Sequence, residues 1–162
     1  MEDFIRDVCS SVKVASFDLA GYSTEQKNKI LDSIAQALID NAQLILDANS
    51  KDLEASASKP AHYLDRMRLT QDRILGIAKG VREIIDLPDP IGEVLDEYIN
   101  KDGLKITKVR VPLGVVGIIY EARPNVTVDI AALCIKSGNA IILRGSRDTF
   151  HSNTTLVKIM QD

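Results

Sequence analysis

The chain has 162 residues, 45% of them hydrophobic and 27% charged, a composition that suits a globular domain with a real core and excludes a disordered or fibrous chain. Its 20 basic and 23 acidic residues are interspersed and leave a formal charge of −3, with no basic block to hold nucleic acid. No run approaches the ~20 apolar residues of a membrane span. The opening MEDFIRDVCSSVKVAS carries acids where a secretory leader carries a basic and then an apolar stretch, so the cytoplasm is the expected compartment.

Ser23 with Gln26 makes a capping-box pattern ahead of Ile30, Leu31, Ile34, Ala35, Leu38, Ala42 and Ile45 at helical spacing, which predicts one amphipathic helix over 24–47. A more polar helix is expected in NSKDLEASASK, ended by Pro60 and followed by a loop. Thr70 can cap another helix, whose Ile74, Ile77, Ala78, Val81 and Ile84 form one apolar stripe before LPDPIG breaks it with two prolines. Residues 1–90 therefore read as helical.

From Glu93 the period changes. Val94, Tyr98, Ile99, Leu104, Ile106 and Val109 alternate with polar residues around an Asp102-Gly103 turn, which is a hairpin pattern. VVGIIY, 115–120, and AIIL, 140–143, are apolar at nearly every position, as strands covered on both faces are. Between them 126–136 can form a helix, with Gly138 as a left-handed stop. Such a strand-helix-strand unit makes a right-handed crossover between parallel strands. One helix cannot cover both faces of that sheet, so more strands are required. A polar loop, RGSRDTFHSN, then leads into a helix over 154–160 that shows no stop signal.

Cys9 and Cys134 have no CxxC or Cys/His spacing and His62 and His151 are the only histidines, so neither a disulfide framework nor a metal site is expected. Ligands of open α/β sheets bind beyond the carboxyl ends of the strands, which directs attention to the loops after Tyr120 and Leu143. In EARPN, Arg123 and Asn125 stand at a helix start that favours anions, and Asn125 can either cap that helix or donate to a developing oxyanion. Arg123 reads equally as an exposed charge or a partner of Glu121. The second loop sets Arg144 and Arg147 beside Gly145 and Ser146, two guanidinium groups next to small residues, which suits a phosphate monoester. No GxGxxG fingerprint follows either strand, so a standard Rossmann site is not supported.

RVPLGVVGIIYEARPNVTVDIAALCIKSGNAIILRG resembles the segment by which the glutamate-5-semialdehyde dehydrogenase (gamma-glutamyl phosphate reductase) family is recognised. The likeness continues in DRMRLTQDRI, GVREIIDLPDPIGEV, GLKITKVRVPLG and HSN, and is weakest over the first twenty residues. It implies an α/β fold of the aldehyde dehydrogenase superfamily: N-terminal helices over 1–92 belonging to the cofactor-binding domain, an oligomerisation-type hairpin over 93–111, and the first part of an incomplete Rossmann-like parallel sheet over 112–162.

The implied reaction is NADPH-dependent reduction of glutamyl phosphate to glutamate semialdehyde and phosphate in proline synthesis. A cysteine thiolate displaces phosphate, and the thioester accepts hydride. The resemblance makes Asn125 the candidate facing the substrate. It makes Glu121, Ala122, Arg123, Arg144, Gly145, Ser146 and Arg147 the candidate cofactor residues, Arg144 standing where related enzymes place a lysine against the adenosine ribose.

RGSRD departs from the family's usual RGGSE by losing a glycine and gaining Arg147. The segment bearing the family's nucleophile is expected beyond residue 162, and Cys134, in an apolar helix, is not its substitute. Implied partners are a second copy of the chain and a glutamate kinase. The rival expectation is a non-catalytic nucleotide-binding or assembly module, which should close its sheet and cap its last helix; the reductase part of a fused kinase-reductase fits less well.

Overall fold

The structure is a computed structural model and describes residues 2–161. Five helices come first: α1 (Glu2–Ala20), α2 (Thr24–Asp40), α3 (Ala42–Ala55), α4 (Ala61–Met67) and α5 (Gln71–Asp86). The hairpin strands β1 (Val94–Ile99) and β2 (Lys105–Val109) follow, then β3 (Val115–Ile119), α6 (Pro124–Lys136), β4 (Ala140–Arg144), a 3-10 turn over Arg147–Thr149, and α7 (Phe150–Gln161).

The capping box forms at the start of α2. Ser23 Oγ accepts from the Gln26 N–H at 3.3 Å and Gln26 Oε1 accepts from the Ser23 N–H at 2.8 Å. Thr70 caps α5 in the same way, accepting from the Arg73 N–H at 3.2 Å. The helix expected over 24–47 is instead broken at Asn41, whose side-chain amide (2.9 Å) and backbone N–H (3.0 Å) both donate to the Ala37 carbonyl. A side chain competing for a ladder carbonyl turns the chain locally, and a new helix begins at Ala42. That helix absorbs the polar stretch as far as Ala55. Pro60 does not end it; Pro60 precedes α4, which replaces the expected loop, in the position where a proline removes no helical hydrogen bond.

The apolar stripes of α2 and α5 face each other and close over α6 and α7, with Leu31, Ala35, Ile45, Ile74, Val81, Val128 and Leu156 almost wholly removed from solvent. Each buried large aliphatic side chain stabilises by about 1.5–3 kcal/mol. Two lysines share this interior. Lys27, 2% exposed, pairs with Asp89. Lys136 donates to Asn28 Oδ1 and to the Ile85 carbonyl, both at 2.8 Å.

β1 and β2 pair antiparallel with an irregularity between Val94 and Asp96, and every residue of both strands is exposed. Their turn is organised by Asn100, whose side chain accepts from the N–H groups of Asp102 and Leu104 at 2.9 Å each, with Gly103 at φ 82°.

β3 and β4 are parallel in the register Val115↔Ala140 to Ile119↔Arg144, with α6 as the crossover. Gly138 takes φ 68°, and a Cβ there would lie 3.0 Å from Pro112, so a side chain at this stop would be strained and crowded. The apolar runs are not fully covered: α1 packs against both strands and α6 against β4, Ile119 is 85% exposed, and no other described strand pairs with β3 or β4. Among the described residues, no helix is long and apolar enough to cross a membrane.

Candidate functional site

Parallel pairing brings the carboxyl ends of β3 and β4 side by side, and the Tyr120 N–H extends the ladder to the Arg144 carbonyl at 3.2 Å. Beyond β3, Tyr120 is half-buried, which pushes its phenol pKa up, and its hydroxyl meets Thr127 Oγ1 at 2.7 Å. Glu121 is exposed with Arg66 3.9 Å away, and Ala122 is buried. Arg123 is exposed at the N-cap of α6 and makes no side-chain cap bond.

Pro124 occupies the first helical position, where its missing N–H and fixed φ cost nothing. Asn125 therefore lies inside the helix and is not its cap. Its amide donates instead to Asp129 Oδ2 at 3.0 Å, one turn on. Burial raises the Asp129 pKa, and this hydrogen bond opposes the rise.

The loop after β4 is fastened to distant parts of the chain. Arg144 is exposed, its guanidinium turned onto the Gly145 carbonyl at 3.3 Å. Gly145 is pressed against neighbours: a Cβ there would lie 2.2 Å from Asn153 Nδ2 and 2.9 Å from the Tyr120 hydroxyl. Ser146 caps the 3-10 turn by accepting from the Asp148 N–H at 3.2 Å, and Arg147 starts that turn, exposed. Asp148 accepts from the Tyr63 hydroxyl at 2.7 Å, which holds its carboxyl below the usual range and raises the Tyr63 phenol.

Asp52, buried on α3, accepts from the N–H groups of His151 (3.0 Å) and Ser152 (2.7 Å) and from Ser152 Oγ (2.6 Å). It thus caps α7 from another helix. Asn49 beside it donates to Ser152 Oγ at 3.1 Å and to the Met67 carbonyl at 2.8 Å.

Two clefts result. One, of about 680 Å³, is lined by Tyr63, Arg66, Glu121, Ala122, Arg144, Gly145, Ser146 and Arg147, which places six of the cofactor candidates together. Arg123 is not among them. It lines a neighbouring cleft of about 560 Å³ with Asn125, Asp129, Arg68 and Arg73, and Arg66 borders both clefts. Sequence reasoning missed Tyr63 and Arg66 because α4 was not foreseen; the two arginines of DRMRLT were the available signal. Cys134 is buried on α6, and that burial pushes its thiol pKa up, the opposite of what a nucleophile needs. No group of three or more potential metal ligands exists among the described residues.

No family model matches the chain. The fold is that of the aldehyde dehydrogenases: a probable aldehyde dehydrogenase from Listeria monocytogenes superposes with a TM-score of 0.72 at 20% identity, over 98% of this chain and 33% of that one. A narrower likeness is stronger. The gamma-glutamyl phosphate reductase of Thermotoga maritima matches with a TM-score of 0.92 and 41% identity over 94% of this chain. Curated gamma-glutamyl phosphate reductases of Anoxybacillus flavithermus and Carboxydothermus hydrogenoformans are 51% and 53% identical over 93% and 99% of it. The chain is similar to gamma-glutamyl phosphate reductases along nearly its whole length, and it spans 37% to 39% of the length of these curated relatives.

Proposed function

We propose that this chain supplies the cofactor side of the NADPH-dependent reduction of L-glutamyl 5-phosphate to L-glutamate 5-semialdehyde and phosphate, a step of L-proline biosynthesis in the cytoplasm. The observation that carries the reading is 51% identity across 93% of the chain to a relative named gamma-glutamyl phosphate reductase. The cleft suits the cofactor. Arg66, Arg144 and Arg147 offer guanidinium groups for phosphate, Ser146 offers a hydroxyl, and Ala122 adds little bulk.

In this reading Arg144 and Arg147 would hold the phosphate that distinguishes NADPH from NADH, and Glu121 would hold a ribose hydroxyl. Bound there, NADPH would supply hydride to the acyl carbon. Asn125 has one amide hydrogen committed to Asp129, which fixes the plane of the group and leaves the second hydrogen to donate to the oxyanion that develops on that carbon. Neither Cys134 nor any other residue of this chain is assigned as nucleophile.

The exposed β1–β2 hairpin offers strand edges to a second copy of the chain, which supports a homo-oligomer. The substrate is a reactive mixed anhydride, so a glutamate kinase is the fitting partner. The test is a fluorescence titration of the chain with NADPH and NADH. NADPH should bind more tightly, and Arg144→Ala and Arg147→Ala should each weaken it about tenfold without changing NADH. Equal affinity for the two dinucleotides, unaltered by either substitution, overturns the assignment. The chain alone should show no phosphate-dependent oxidation of glutamate semialdehyde, and measurable turnover would refute the absence of a nucleophile.

A further inference from the structure

The cleft beside the nucleotide site is built from an unusual set of charges. Four arginines and two aspartates line it: Arg66, Arg68, Arg73 and Arg123, with Asp65 and Asp129. Arg73 and Asp65 satisfy each other, since Arg73 donates to Asp65 Oδ1 at 2.8 Å and to the Asp65 and Arg68 carbonyls at 2.6 and 2.7 Å. Those three bonds fix the α4–α5 connection that carries Arg68. Arg68 and Arg123 have no salt-bridge partner among the described residues, and Asp129 has only the neutral amide of Asn125.

Two unpaired guanidinium groups and one unpaired, half-buried carboxylate complement a zwitterion better than a simple anion. Room is provided by Gly76, a helical glycine that lines the cleft and whose Cβ would meet nothing within 4 Å. A glycine inside a helix is destabilising relative to alanine, and here it leaves open space.

We propose that this cleft receives the α-amino acid end of the substrate, with Arg68 and Arg123 pairing with the α-carboxylate, Asp129 accepting from the α-ammonium, and Gly76 leaving the volume the side chain needs. The proposal rests on the reductase reading above. It goes further by naming the residues that select an amino acid rather than another acyl phosphate. Because Arg66 borders both clefts, a substrate held by its head group in one directs its far end toward the nucleotide in the other.

The experiment is amide NMR on the 15N-labelled chain, titrated separately with L-glutamate, with glutarate, which lacks the ammonium, and with NADPH. L-Glutamate should move the Gly76, Asn125 and Asp129 signals, with glutarate binding about tenfold more weakly. Asp129→Asn should close that gap. Gly76→Leu replaces a poor helix former with a good one, so it should fold, and it should abolish the L-glutamate shifts; NADPH shifts at Gly145 and Ser146 report that its fold is intact.

L-Glutamate that moves none of the three signals, that binds no better than glutarate, or that binds Gly76→Leu as well as the parent overturns the proposal. NADPH shifts without L-glutamate shifts sink the head-group cleft alone. L-Glutamate shifts without NADPH shifts uphold the cleft and sink the cofactor reading.

Discussion

The loop after β4 and the β1–β2 hairpin are both polar, glycine-containing stretches, yet they are held in opposite ways. The loop is tied to residues far off in sequence: Asp52 and Asn49 on α3, Tyr63 on α4, Thr127 on α6 through Asn153. Thr149 within it and Ser152 in the first turn of α7 are fully buried. The hairpin bonds chiefly to itself, through its ladder, the Asn100 turn and the Glu97–Lys105 and Glu93–Arg110 ion pairs, and none of its strand residues is buried. A segment fixed by long-range contacts is preorganised for a ligand, whereas one fixed only locally keeps its surface for another protein.

The contrast breaks most severely at the hairpin's root. Asp89 accepts from Thr24 Oγ1 at 2.8 Å and from the Ile91 N–H at 3.0 Å, and it pairs with buried Lys27. Asp89→Ala should destabilise the fold by about 3–5 kcal/mol, because it strands the lysine charge in the interior; urea unfolding measures this. Burial pushes the Asp89 carboxyl pKa up, but the bonds from Lys27, Ile91 and Thr24 outweigh it and hold the value below the ordinary one. A depressed carboxyl contributes stability that is fully present above the unfolded-state pKa of about 3.9 and is lost as pH falls through the lower folded value. The parent should therefore lose stability more steeply than Asp89→Ala in that acid window.

An intermediate effect belongs to the loop. Gly145→Ala drives a methyl into Asn153 and Tyr120, and overpacking of this kind costs about 1–3 kcal/mol. NADPH affinity should fall with it while the hairpin's amide signals stay in place. The smallest effect belongs to the hairpin itself. Lys105→Ala removes an exposed pair with Glu97 at 3.0 Å and should shift stability by no more than about 1 kcal/mol. A larger loss, or a shift in sedimentation, would show that this surface is not independent of the core or of a partner.

Local chemistry was legible in the sequence and tertiary chemistry was not. The Ser23–Gln26 box, the Thr70 cap, the Gly103 turn and the Gly138 stop are encoded within a few residues, and each formed. The break at Asn41 and the Asp52 cap of α7 depend on which donors meet which acceptors in space, and no spacing rule announces them. Asn125 shows the limit at a site residue: asparagine favours caps, but Pro124 ahead of it takes the first helical position and moves Asn125 one step inward. The parallel crossover expected from the strand-helix-strand pattern formed, and it sets the two strand-end loops side by side. Their division into two clefts followed from α4 and the start of α5, which the resemblance covered without assigning a role.

Asp52 carries one more implication. A glycine-rich dinucleotide loop offers a phosphate the free N–H groups and positive dipole of the following helix, a grip set by backbone and hard to retune. Here two of those N–H groups already bind a resident carboxylate, so an anion approaching the loop after β4 meets a helix end that is neutralised in advance. In the proposed site the grip then falls to the exposed guanidinium groups of Arg144 and Arg147. Under the proposed cofactor assignment, coenzyme preference becomes a surface trait, sensitive to salt and open to change by single substitutions that leave the scaffold untouched.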